Sequence, residues 1–207
     1  MSQRQISHIN FMTNAIIPSA NRPRMSPTER QAQLLVVAIT IYGRMGVERA
    51  GHGDVAKLAG VSTATVFNYF PTREVLTDAV LDAVKASVLD NFEKTAPELT
   101  GRPRLMALAS AFNTLIDTQP DIVKVLLNWS VSFGTDTRPR FMEFQEEVLN
   151  RLYAATTDSA REGHKGERAD ARIIFGAATT LAMMKLDDSA PETIAKFTQR
   201  VIDIIGD

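Results

Sequence analysis

Residues 51–74 read GHGDVAKLAGVSTATVFNYFPTRE. Two short helical patterns, 52–59 and 63–69, meet there at Gly60-Val61-Ser62. Val55, Ala56, Ala59, Val61, Val66, Phe67 and Phe70 are spaced to close both helices against a third. Gly60 is suited to a positive-φ turn and Ser62 to capping the helix that follows. This much describes an αα-corner, which serves as packing in many helical proteins. Packing leaves Thr63, Ala64, Thr65, Asn68 and Tyr69 on the outer face and N-terminal end of the second helix. They are small, uncharged or hydrogen-bonding, where a solvated face usually carries Lys and Glu. Small residues let a helix approach a major groove. Thr and Ala methyls meet thymine methyls, and Asn pairs with adenine. Tyr69 and Arg73 flank that face within reach of phosphates, and free amides near Thr72 suit an anion. Spacing alone leaves both readings open, an ordinary corner and a surface that reads nucleic acid.

Helix signals continue on both sides. Ser26-Pro27-Thr28-Glu29 forms a capping box with proline in the first turn, and opens a helix over about 27–45. Pro71-Thr72 opens another that runs to about Phe92. The breaker-rich stretch TAPELTGRP at 95–103 separates this module from five further helices, predicted at 104–118, 121–133, 138–162, 167–185 and 191–205. Strand signals are nearly absent, so the chain reads all-α.

The 207 residues are enough for a sizeable core, and 44% are hydrophobic. With no cysteine, disulfides and thiolate metal sites are excluded. The net charge of −1 hides an asymmetry. Residues 1–80 hold eight Lys and Arg against five Asp and Glu, whereas the remaining 127 hold 15 against 19. A mildly basic end on an acidic body suits an anionic partner. No apolar run reaches the roughly 18–20 residues that cross a bilayer, and 1–21 reads as a polar, disordered extension without a signal-peptide pattern. A cytoplasmic protein is expected, with no membrane partner. His8, His52 and His164 lack ligand spacing, and no nucleophile elbow, phosphate loop or dinucleotide fingerprint occurs. Neither an enzyme, a cofactor nor a metal is indicated.

VSTATVFNYFPTREVL resembles the helix-turn-helix of the TetR family of transcription regulators. Together with the upstream RPRMSP and the later IVKVLLNWSVS, it is similar to the quorum-sensing master regulators of vibrios, the LuxR/HapR/SmcR group. The resemblance is dense over about 22–92, looser to about 133 and weak beyond. It implies a TetR-like fold with a disordered extension at 1–21, a DNA-binding module with a basic arm at 22–74, and a dimerisation and ligand-binding body at 75–207. It places Thr63, Ala64, Thr65 and Asn68 toward bases, and Tyr69, Thr72 and Arg73 toward phosphates. Arg22 and Arg24 would enter the minor groove, as arginines do in narrow A·T-rich DNA; without the resemblance they read as a solvated linker. Gly51 departs from the family's Thr or Ser cap. His52 beside it reads either as a substitute phosphate contact or as a plain surface histidine, and Phe67 as core with its edge at the DNA.

Trp129 and Phe133, four apart, would share a helix face. With Leu89, Phe92, Met106, Phe112, Leu126 and Phe175 they either line a pocket for a small apolar ligand or fill solid core. The resemblance favours the pocket. Ile173, Ala177, Thr180, Leu181 and Met184, with Ile194, Phe197 and Val201 in the last helix, are expected to build a homodimer interface, which a buried monomer core would also explain. The partner is then double-stranded DNA bearing a pseudo-palindromic operator. Two other readings remain: a local repressor released by its ligand, and a helical sensor that binds no DNA.

Overall fold

The computed structural model describes residues 25–156 and 168–206. The predicted extension 1–21, the arm residues Arg22 and Arg24, and the end of the helix predicted to reach 162 lie outside the described residues. The described residues form nine helices: α1 (Pro27–Met45), α2 (His52–Ala59), α3 (Thr63–Tyr69), α4 (Arg73–Lys94), α5 (Gly101–Thr118), α6 (Pro120–Ser130), α7 (Thr137–Thr156), α8 (Arg168–Leu186) and α9 (Pro191–Gly206).

Helices α1 and α3 start at side-chain caps, and α2 ends at a glycine. Ser26 Oγ accepts the Glu29 amide, and the Glu29 carboxylate accepts the Ser26 amide at 2.8 Å. That bond from the Ser26 backbone holds the Glu29 carboxyl below the usual carboxylate range. Gly60 takes the left-handed conformation (φ 66°) that ends α2, and Ser62 Oγ caps α3 through the Thr65 amide at 3.1 Å. Only glycine adopts that φ without a Cβ penalty.

Two predicted boundaries move. Helix α5 begins three residues earlier than expected, at Gly101. Helix α6 stops at Ser130, where the 3.6-residue pattern had carried it to 133. Ser130 Oγ donates to the Leu127 carbonyl at 2.7 Å, and the Ser132 amide turns back to the Trp129 carbonyl at 3.1 Å. Serine hydroxyls compete for the backbone bonds that would extend a helix. Phe133 consequently leaves the Trp129 face. It is 77% exposed, under the Arg138 guanidinium at 4.7 Å.

One core joins the head to the body. Leu34, Ala38 and Tyr42 of α1 pack with Val55, Val66 and Phe70 of the corner and with Leu76, Val80 and Val84 of α4; all are buried. The Tyr42 hydroxyl bonds Thr77 Oγ1 at 2.8 Å inside this core, and burial pushes the phenol pKa up. Helix α1 lies along α6, with Thr40 donating to Asp121 at 2.6 Å and Asn128 to the Gly43 carbonyl at 3.1 Å. Ion pairs between α4 and α7 line the outside: Arg140 with Asp78 and Asp82, Lys85 with Glu147, and Arg151 with Glu93. Such exposed pairs contribute little each.

Candidate nucleic-acid interface and interior cavity

Helices α2 and α3 form the predicted corner, and burial divides α3 into two sides. Val66 is sealed and Tyr69 packs partly against the core. Thr63, Ala64 and Asn68 are exposed, and Thr65 is half-buried with its hydroxyl 2.8 Å from Ser62 Oγ. The exposed side of α3 therefore carries no charge and little bulk apart from Phe67.

Phe67 and His52 differ from expectation. Phe67 is 45% exposed; its ring lies flat on the His52 imidazole, with centroids 4.0 Å apart and planes 8° from parallel. His52 itself is buried, and its Nε2–H donates to the Phe70 carbonyl at 2.6 Å. That bond commits Nε2 inside the protein and does not offer this nitrogen to a phosphate. His52 joins the start of α2 to the end of α3 and seats Phe67. The sequence pattern could not announce the bond, because the acceptor lies 18 residues away. His52→Ala is expected to leave the buried Phe70 carbonyl unpaired and to destabilise the protein by about 1–3 kcal/mol. Urea unfolding measures the change, and an unaltered midpoint would remove His52 from this role.

Arg73 is also committed elsewhere. Its Nε and Nη2 donate to the carbonyls of Ala50 (3.3 Å), Val47 (3.2 Å) and Glu48 (2.5 Å). The side chain predicted to reach phosphate thus ties α4 to the α1–α2 turn. Thr72 caps α4 by accepting the Val75 amide at 3.2 Å, and its hydroxyl holds the Glu74 carboxyl below the usual range.

A cavity of about 150 Å³ lies between α4–α9. Phe92, Phe112, Leu126 and Phe175, all singled out from the sequence, line it, along with Phe144, Val148, Phe197 and Val201. The other four predicted residues do not. Leu89 belongs to the main core, and Met106 is 49% exposed. Trp129 turns toward α7, and Phe133 lies on the surface. Trp129 is 2% exposed, stacks on Phe144 at 5.5 Å and donates its indole N–H to the Thr137 carbonyl at 3.0 Å. Asn91, Ser130, Thr179 and Thr198 supply the polar lining, and Thr198 Oγ1 has no hydrogen-bond partner. At the α4–α5 end, buried Arg104 donates to the Phe92 carbonyl at 3.0 Å in the last turns of α4, where a cation favours the helix dipole.

The predicted dimer residues divide as well. Ile173 is 50% exposed and Thr180 half-buried, on an outer stripe of α8 that also holds exposed Ala169, Gly176 and Met183. Leu181 is buried in the protomer, Met184 is half-buried, and Ala177 lines the cavity. Ile194, Phe197 and Val201 of α9 pack inward against the smaller core clusters. The apolar stripe of α9 is therefore partly buried within the protomer, against α5 and α8. Among the described residues no helix is long and apolar enough to cross a membrane.

Residues 34–80 match the sequence model for bacterial regulatory proteins of the tetR family. The HTH-type transcriptional regulator LuxR of Vibrio harveyi is 37% identical over 123 residues, which are 58% of this chain and 60% of that protein. The match thus spans less than two thirds of LuxR's length. The nucleoid occlusion factor SlmA of Haemophilus influenzae is 25% identical over 175 residues, 80% of this chain and 79% of its own. Bacillus subtilis FadR, solved with stearoyl-CoA, superposes with a TM-score of 0.66 at 20% identity, covering 84% of this chain and 96% of that one; it shares the fold. Residues 34–80 thus carry a tetR-type helix-turn-helix head built on α1–α4, and the described residues together have a TetR-like all-helical fold.

Proposed function

We propose that this protein is a dimer that reads a pseudo-palindromic operator in double-stranded DNA and serves as a quorum-sensing master regulator, able to activate and repress. The observation that carries the reading is the uncharged, exposed face of α3, with Thr63, Ala64 and Asn68 free of core packing. It lies within residues 34–80, which match the tetR-family model. Residues 22–74 act as the DNA-binding head, with Arg22 and Arg24 as a minor-groove arm. Residues 75–207 act as the dimerisation and ligand-binding body. Thr65 and Tyr69 border the reading face, and Thr72 offers the cap at the start of α4 to a phosphate.

A titration of A·T-rich pseudo-palindromic duplexes against random duplexes tests this. Specific duplexes are expected to bind tighter, with affinity that falls steeply as salt rises, because neutralised phosphates release counterions. Equal binding of both duplexes would refute the reading. Asn68→Ala is expected to lower specific affinity by about 1–3 kcal/mol with the fold intact, the worth of a good base contact. Unchanged operator affinity would take Asn68 out of the site.

The cavity favours a second reading, a local repressor released by an apolar ligand. FadR was solved with an acyl-CoA bound, and the space between α4–α9 has a lining suited to an apolar chain. Genome-wide binding positions compared with transcript changes separate the two. Many direct sites with both signs of regulation support the master regulator, and one ligand-relieved neighbouring operon supports the repressor.

A further inference from the structure

Glu48, in the turn between α1 and α2, was singled out by no sequence pattern, yet it sits where three parts of the molecule meet. Its Oε1 accepts the Ser132 hydroxyl at 2.5 Å and the Thr137 hydroxyl at 3.2 Å. The two hydroxyls also lie 2.9 Å apart, within hydrogen-bond distance of each other, so the three side chains form one network. Its backbone carbonyl accepts Arg73 from α4. The α6–α7 loop, the α1–α2 turn and the start of α4 therefore converge on one residue. Gly134 makes room for it, since a Cβ at that position would stand 2.5 Å from Glu48 Oε1 and 3.0 Å from Thr137 Oγ1. The body side is anchored too, because the Thr137 carbonyl accepts the Trp129 indole N–H.

Head and body are also tied by the core that α1 shares with α4, by Arg73, and by the α1–α6 packing with Thr40–Asp121 and Asn128–Gly43. Glu48 continues the α1–α6 contact past the ends of both helices and extends it to the first residue of α7. We propose that Glu48 is a positioning residue for DNA reading, holding the head at a fixed angle to the body through Ser132 and Thr137. This rests on the DNA-binding reading above. The bonds are charge-assisted, the stronger class of hydrogen bond. Because Glu48 is exposed, its removal is expected to change orientation more than stability.

The test measures the ratio of affinities for A·T-rich pseudo-palindromic and random duplexes in the full-length protein, with thermal unfolding alongside. Glu48→Ala is expected to lower the ratio about ten-fold. Glu48→Gln, whose amide oxygen still accepts both hydroxyls, is expected to keep it. Ser132→Ala combined with Thr137→Val lies on the body and changes no charge, yet is expected to lower the ratio as Glu48→Ala does. Combining it with Glu48→Ala should then add nothing further. Gly134→Ala, which pushes the carboxylate aside, is expected to mimic the loss. Equal gains in affinity for Glu48→Ala and Glu48→Gln would mean that the acid merely repels DNA, and would overturn the proposal. So would a normal ratio in the body-side variant. If the wild-type protein does not discriminate between the duplexes, the DNA-reading function itself fails, and that result is distinct from either of these.

Discussion

Trp129→Ala is expected to destabilise the protein by about 3–5 kcal/mol, the range for truncating a buried large aromatic residue. The indole is one of the largest fully buried side chains. It stacks on Phe144 with planes 19° apart and meets the edge of Phe141 at 5.5 Å. Truncation removes both ring contacts and the indole N–H bond to the Thr137 carbonyl at the start of α7. Trp129→Phe keeps one ring and loses the donor, so a smaller loss of about 1–3 kcal/mol is expected. Denaturant unfolding of both variants checks this. If Trp129 were a wall of the ligand cavity, as its sequence spacing suggested, Trp129→Ala would enlarge that cavity at small cost. A loss below about 1 kcal/mol would favour that placement.

The contrast shows what a one-dimensional pattern can carry. Caps and breakers act within a few residues, so Ser26, Gly60 and Ser62 fixed their helix ends in the sequence as firmly as in the structure. Periodicity likewise shows which residues share a face. It does not show what covers that face. The stripe Ile194, Phe197 and Val201 is real, and part of it is already packed against other helices of its own protomer. At Phe133 the pattern failed for a local reason, since the serines on either side of Val131 end α6 one turn too soon. His52, Arg73 and Glu48 were illegible for another reason. Each is defined by a partner between 18 and 89 residues away, and nothing in their own neighbourhoods encodes that partner. The exposed side of α3, proposed to face DNA, was legible because it is defined by lacking such distant partners.

The second large effect concerns assembly, and it follows from what the protomer leaves uncovered. Ala169, Ile173, Gly176, Thr180 and Met183 recur at alternating steps of four and three along α8, which makes a straight stripe. Ile173 and Met183 are half-exposed at 50% and 46%, and a Cβ built on Gly176 meets nothing within 4 Å. Two copies of this stripe can lie against each other about a two-fold axis, with Gly176 admitting the partner helix and the larger side chains flanking it. Ile173→Asp would then bring two carboxylates into one apolar interface. Burying an unpaired charge costs several kcal/mol, so the dimer dissociation constant is expected to rise at least 100-fold. Sedimentation equilibrium measures that shift. Operator affinity is expected to fall with it, because a monomer engages one half-site at a time. Phe197→Ala supplies the contrast. Phe197 faces the cavity within its own protomer, so its truncation is expected to lower thermal stability while the dimer persists. A dimeric Ile173→Asp variant would move the interface off this stripe, whereas a monomeric Phe197→Ala variant would return α9 to it.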